Sequence, residues 1–276
     1  MGLRTQNRLA ALLAFTIALI LVIWLIFPPA WMILTAFKAG RDVFALPPKL
    51  IFTPTLANFL SIFARPDLIK VFINTVVISI VASGLTLIFG SMAAYSIARF
   101  RTGGQPLLFG TLVFRVLPPI VIGLPFFIVF SRLGWIDTIH GLIIAYVAFL
   151  LPNTIWLMIP FFGDIPMEIE ESALVDGCSR FGAFTRIVIP LAQPGLIVTG
   201  IYNLLGSWNH FFYGLILSTF NARTLPVEAS NFVGEYALQW GEVSAIGSLL
   251  IIPPILVAFF LQKYLVKGLT LGAVKG

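Results

Sequence analysis

Charge is what this chain of 276 residues has least of: Asp, Glu, Lys and Arg make up 10% of it, against about 25% in a soluble domain. Cysteine occurs once, at Cys178, and histidine twice, at His140 and His210. A single cysteine excludes an intrachain disulfide and a cysteine-based metal site. The two histidines are far apart, so there is no His-Glu-x-x-His pair and no metal centre is expected. No Gly-x-x-x-x-Gly-Lys-[Ser/Thr] run is present, so ATP chemistry by that phosphate loop would have to come from another subunit. All 11 acids fall between apolar runs or at their ends. An integral-membrane enzyme needs convergent catalytic groups, and an ion-coupled carrier favours acids within its spans. Both classes therefore fit poorly, and no catalytic residue is assigned. The apolar runs do not alternate, which excludes a membrane barrel.

What is present is apolar. Hydrophobic residues are 59% of the chain and mean hydropathy is +1.02. Such a chain cannot hide its surface in one globule, so lipid is its solvent. A spanning helix needs about 20 apolar residues, and six windows qualify: residues 9–37, 69–98, 107–130, 139–162, 196–220 and 243–264. The sequence predicts an all-α integral membrane protein, a single transmembrane domain over 1–276. The first window is too long for a signal-peptide core and reads as a retained span. The net charge of +6 is scattered through short loops. Attraction to anionic lipid headgroups explains it better than nucleic-acid binding.

Six spans put both termini on one side of a multi-pass protein. That side carries the short cationic segments: Arg4 and Arg8, Arg99 and Arg101, and Lys263, Lys267 and Lys275. By the positive-inside rule it is cytoplasmic. The long turn-rich connection 38–68 lies opposite and counts for less. The polar insert 163–195 falls on the cytoplasmic side, with Asp164, Glu168, Glu170, Glu171 and Asp176 against Arg180 and Arg186. Asp164 and Pro166 suit a helix start, and the early acids suit the helix dipole. Gly177 suits a terminator at positive φ. Ser179 suits the cap of a second helix carrying Phe181, Phe184, Ile187 and Val188 and stopping at Pro190. From physics alone the insert is either an amphipathic segment lying on the membrane or a docking surface for a partner.

Glu171-Ser172-Ala173, Gly177, Ile187 and Pro190 resemble the EAA loop of bacterial ABC-importer permeases. That pattern is Glu-Ala-Ala, a Gly four residues later and a distal Ile-x-x-Pro; Ser172 departs from it. Arg115-Val116-Leu117-Pro118-Pro119, Pro125, Trp208-Asn209, Thr224-Leu225-Pro226-Val227, Trp240-Gly241 and the tail 268–276 are similar to MalG-type carbohydrate permeases. His210 stands where many of these carry an acid or amide. The resemblance covers nearly the whole chain and is weakest over residues 1–50. It implies a type I ABC importer permease fold in a bacterial inner membrane. It implies that Glu170, Glu171, Ser172, Ala173, Asp176, Gly177, Ile187 and Pro190 form a coupling loop seated in an ATPase groove. Implied partners are a MalF-type permease as heterodimer, a homodimeric ATP-binding subunit and an extracytoplasmic binding protein. This chain would bind no cofactor itself, with ATP and Mg used by the ATPase. The implied cargo is a sugar or polyol, or alternatively glycerol phosphate.

Polar groups inside the windows are candidates for the substrate path. Arg115 either lines the path, pairs with a partner carboxylate, or snorkels from a span that begins later. Asn203, Ser207 and His210 are spaced to share a helix face, beside Trp208 and Asn209. Amides, hydroxyls and rings suit sugar recognition, but hydrogen bonds between helices use the same groups. Asn153, after Pro152, reads first as a kink. Ser79, Ser83, Gly84, Gly90 and Ser91 read as close helix packing.

Overall fold

The computed structural model describes the backbone of residues 3–235 and 239–273, and the side chains of 11–232 and 239–260. Every regular element among them is helical: α1 (Leu3–Ala36), α2 (Gly40–Val43), α3 (Ala57–Phe63), α4 (Pro66–Phe100), α5 (Gly104–Val116), α6 (Pro119–Leu133), α7 (Ile139–Gly163), α8 (Met167–Val175), α9 (Arg180–Ala183), a π-helical turn (Phe184–Val188), α10 (Ile189–Leu191), α11 (Gln193–Trp208), α12 (Phe212–Leu217), α13 (Leu225–Glu235) and α14 (Trp240–Ala273). The last residues of the tail singled out above, 274–276, lie outside the described residues, as do the side chains of Arg4, Arg8, Lys263, Lys267 and Lys275.

Four helices are long and apolar enough to cross a membrane, within α1, α4, α7 and α14, and there are up to six spans if two bent pairs each count as one. The windows at 9–37, 69–98, 139–162 and 243–264 thus match continuous helices. The other two differ from expectation. The window 107–130 is split into α5 and α6, which meet at 95°. Pro118 pushes Leu117 out of the helical region, to φ −61°, ψ 129°, and is itself extended at φ −58°, ψ 138°. The window 196–220 is preceded by α9–α10, which meet α11 at 80°. Its own helix stops at Trp208 and resumes only as the short α12. Helices also occupy parts of the two long connections, as α2, α3 and α13.

Two compact units divide the chain: 1–68 with 229–253, and 69–228 with 254–276. In the first, Asn58 donates from Nδ2 to the carbonyls of Ala36 and Lys38, each at 2.8 Å, and so caps the end of α1. Glu242 accepts from Ser61 Oγ at 2.6 Å and Arg65 at 2.8 Å. Lys38 is buried with its ammonium 4.1 Å above the Trp31 ring.

The second unit holds two buried clusters. One joins Ile78 and Ala82 of α4 to Phe130, Leu142, Tyr146, Tyr213 and Leu217. The other joins Ala94 to Met158, Phe162, Ile165, Phe184 and Val188. In lipid the hydrophobic effect does not draw helices together, so close packing must. Ser79, Ser83 and Ser91 are buried as the sequence predicts. A Cβ at Gly90 would collide with Thr154 of α7, and one at Gly195 with the Phe161 ring. Gly84 is different: it faces outward, and a Cβ there would meet nothing.

Candidate functional site

The insert folds as its residues direct. Pro166 precedes α8 and ends the extended entry at φ −57°, ψ 136°. Glu168 and Glu170 occupy the first turn, where peptide N–H groups are unpaired. At the other end Gly177 takes φ +87°. Its N–H donates to Leu174 O at 3.1 Å, and Cys178 N–H donates to Ala173 O at 2.9 Å. These two bonds define a Schellman ending, which needs the left-handed residue that glycine supplies. Ser179 then caps α9, its Oγ accepting from Gly182 N–H at 3.1 Å. The following helix does not stop at Pro190. It widens into the π turn Phe184–Val188 and runs on to Leu191. The Pro190 ring has no N–H to give to the preceding turn, and a widened turn accommodates that loss.

α8 has two unlike faces. Glu170 and Ala173, three apart, are buried. Glu171, Ser172, Leu174, Val175, Asp176 and Gly177 are exposed, Val175 at 87%. Phe181 on α9 adds another exposed ring at 65%. Pro190 is exposed, while Ile187 and Cys178 are half-buried. Apolar side chains gathered on a polar insert mark an interaction surface.

The buried face is tied to α4. Glu170 Oε2 accepts from the Tyr95 hydroxyl at 2.7 Å. Its Oε1 pairs with Arg99 Nη2, and the two side chains are only 11% and 6% exposed. Arg99 also donates to Ile165 O at 2.7 Å, in the short link between α7 and α8. The Tyr95 ring packs on Phe184 at 4.6 Å, Phe162 at 5.7 Å and Phe100 at 5.8 Å. Sequence reasoning placed Arg99 among loop cations. Helix α4 reaches Phe100, two residues beyond the predicted window, and so carries Arg99 into the packed end.

The candidate substrate-path residues are dispersed. Asn203 is fully buried, and its Oδ1 accepts from Thr154 at 2.9 Å while its Nδ2 has no hydrogen-bond partner. Ser207 Oγ lies 2.9 Å from Asn203 O and 3.2 Å from Ser79 O. Trp208 is buried edge-on to Phe72. His210 does not share a helix face with Asn203 and Ser207, because α11 ends before it. Its ring sits between Phe149 at 4.5 Å and Tyr213 at 5.0 Å, and its carbonyl accepts from Tyr146 at 2.9 Å. Asn209 is exposed and Asn153 half-buried. Arg115 is exposed in the last turn of α5, beside the bend. Thus Asn203 and Ser207 meet neighbouring helices, while Arg115 and Asn209 face outward.

One site was not legible at all. Asp137, at φ +58°, points its carboxylate into a run of successive peptides. Oδ1 accepts from the N–H groups of Thr219, Phe220, Asn221 and Ala222 at 2.9–3.1 Å, and Oδ2 from the Asn221 side chain at 3.1 Å. Burial alone would raise its pKa. The four peptide donors outweigh burial and hold the carboxyl well below the usual carboxylate range.

Residues 86–271 match the family model described as "Binding-protein-dependent transport system inner membrane component". A protein described as a probable ABC transporter permease, y4oR of Sinorhizobium fredii, is 40% identical over 91% of this chain and 90% of its own. The trehalose/maltose transport system permease protein MalG of Thermococcus litoralis is 32% identical over 94% and 95%. The diacetylchitobiose uptake system permease protein DasC of Streptomyces coelicolor is 30% identical over 94% and 95%. A crystal structure of a bacterial ABC transporter involved in import of the acidic polysaccharide alginate contains a chain of the same fold. Its TM-score is 0.76 at 21% identity, covering 94% of this chain and 97% of that one.

Proposed function

We infer the function from one premise: the chain belongs to the family of binding-protein-dependent transport system inner membrane components. It is a multi-pass ABC permease subunit with the type I permease fold, a transport component and not an enzyme. ATP hydrolysis belongs to a partner subunit.

We propose that the cargo is a sugar or a related polyol. Relatives named for trehalose/maltose, sulfoquinovosyl glycerol and diacetylchitobiose uptake support that class. In this reading the chain forms half of the pathway beside a second, MalF-type permease. A homodimeric ATPase using ATP and Mg drives it, an extracytoplasmic binding protein loads it, and both termini are cytoplasmic. The observation that carries the coupling role is the outward face of α8, where Glu171, Val175 and Gly177 are exposed. This face would sit in the ATPase groove, with Ser172, Asp176, Ile187 and Pro190 shaping the loop around it and Glu170 and Ala173 holding it from within. Arg115, Asn153, Asn203, Ser207, Trp208, Asn209 and His210 are proposed for the pathway.

Substituting Gly177→Asp puts a side chain where φ is +87° and adds a charge to the docking face. Uptake should be abolished while the membrane subunits still co-purify. Undiminished uptake with normal ATPase stimulation would sink the docking assignment. A screen of the cognate binding protein against sugars, polyols and glycerol phosphates tests the cargo class.

A further inference from the structure

We propose that Glu170, Arg99 and Tyr95 are positioning residues for coupling: a buried ionic joint that fixes the direction of α8 relative to α4. The proposal rests on the reading of α8 as the ATPase-docking helix and adds how its movement reaches a span. Among the four acids of the α8 segment, Glu168, Glu171 and Asp176 are exposed, and Glu170 alone turns inward. It meets two donors from α4, one turn apart. Arg99 extends the joint by holding Ile165 O as well. One guanidinium therefore grips both the entry to α8 and its first turn.

The short link 164–166 joins α8 to α7, and residues 176–179 join it to α9. α8 also packs against α9 and the π turn. Packing of this kind, Ala173 included, supplies contact but little direction. The Tyr95 hydroxyl fixes the direction of Oε2 through a hydrogen bond to a charged acceptor, and the guanidinium holds Oε1 as a buried ion pair. An exposed ion pair would slip, since such pairs contribute little. Here burial makes the loss of one partner costly, because the other charge is left without water. In this proposal the buried pair serves specificity of geometry rather than stability. The geometry specified is the outward aim of Glu171, Val175 and Gly177. The aromatic packing of Tyr95 against Phe162 and Phe184 links the joint to the end of α7 and to the π turn. A push on α8 is thus delivered to α4 and α7 together.

The test uses the full importer in proteoliposomes: this chain with its partner permease, ATPase and substrate-loaded binding protein. ATP hydrolysed per substrate imported is measured for Tyr95→Phe, for Glu170→Gln, and for the swap Arg99→Glu with Glu170→Arg. Contact between α8 and the ATPase is followed by crosslinking from Val175→Cys in a Cys178→Ala background. Glu170→Gln leaves the buried Arg99 without its counter-charge and should raise the ATP cost per substrate by about tenfold. Tyr95→Phe, which removes a single hydroxyl, should raise it less. The crosslink should persist in both, and the swap should recover part of the ratio. An unchanged ratio in both single variants, with the crosslink intact, overturns the joint. So does a loss of assembled complex in which the remaining transporters keep a normal ratio, since that assigns the cluster to folding alone. A crosslink that never forms, even with Glu170, Arg99 and Tyr95 intact, overturns the docking reading and the joint with it.

Discussion

Asp137 shows how a residue with no motif can organise a chain. It was visible in the sequence only as an acid in a short connection, and its partners lie more than 80 residues later. No local pattern encodes such a pairing. Its left-handed backbone suits Asp or Asn, whose short polar side chains tolerate that region. The sign of its pH dependence follows from its depressed pKa. The folded carboxyl binds its proton less readily than the unfolded one, whose value is 3.8. Its stabilisation is complete above that value and is lost as pH falls below it. Thermal unfolding in detergent should therefore show a midpoint that drops as pH is lowered below about 4. Asp137→Asn keeps the backbone preference and removes the charge. It should lower the midpoint at neutral pH and flatten the acid dependence; an unchanged acid limb would show that other carboxylates govern it. Glu170 teaches the complementary lesson. The resemblance included it among eight coupling-loop residues, but only folding shows that it faces α4 while its neighbour Glu171 faces out.

At the scale of elements, apolar length was legible and continuity was not. The windows for α1, α4, α7 and α14 needed only hydropathy. The break between α5 and α6 was written in Leu117-Pro118-Pro119, but hydropathy ignores backbone restriction, so the window ran straight through it. Replacing both prolines by alanine removes a preference against helix of about 3 kcal/mol each. The 95° bend should open, and spin labels at positions 112 and 128 should move apart in distance measurements. Contacts between helices form a second element-scale test. Gly195→Leu would drive a side chain into the Phe161 ring. Overpacking of this kind costs about 1–3 kcal/mol, so the unfolding midpoint should fall, whereas Gly84→Ala, inside α4 on an open face, gains helix propensity and should not lower it. The two glycines look alike in sequence because only the partner helix distinguishes them. The ending at Gly177 and the cap at Ser179 were legible, since both follow from local geometry.

For the whole molecule, composition identified the solvent and the polar insert marked where the chain leaves it. Sidedness rests on a few arginines and lysines, and the single cysteine offers a check. Cys178 sits in the α8 loop and is half-buried. A membrane-impermeant maleimide should label it in inverted vesicles and not in right-side-out ones, and the opposite pattern would reverse the topology. What the sequence left hidden were the long-range ties, Glu170 to α4 and Asp137 to residues 219–222, because pairing across such separations is decided by packing. These two ties sit at opposite ends of α7, which begins just after Asp137 and ends just before α8. Its 25 residues span about 37 Å. If α8 is the docking helix proposed above, α7 would serve as a lever arm, with its fulcrum at the Asp137 clasp and its load applied at the α8 end. A stroke of about 5 Å at that end, close to one helical turn, would become a tilt of under ten degrees about the clasp, with almost no displacement there. Motion along this arm would then be graded by depth: large beside α8 and vanishing at the far end.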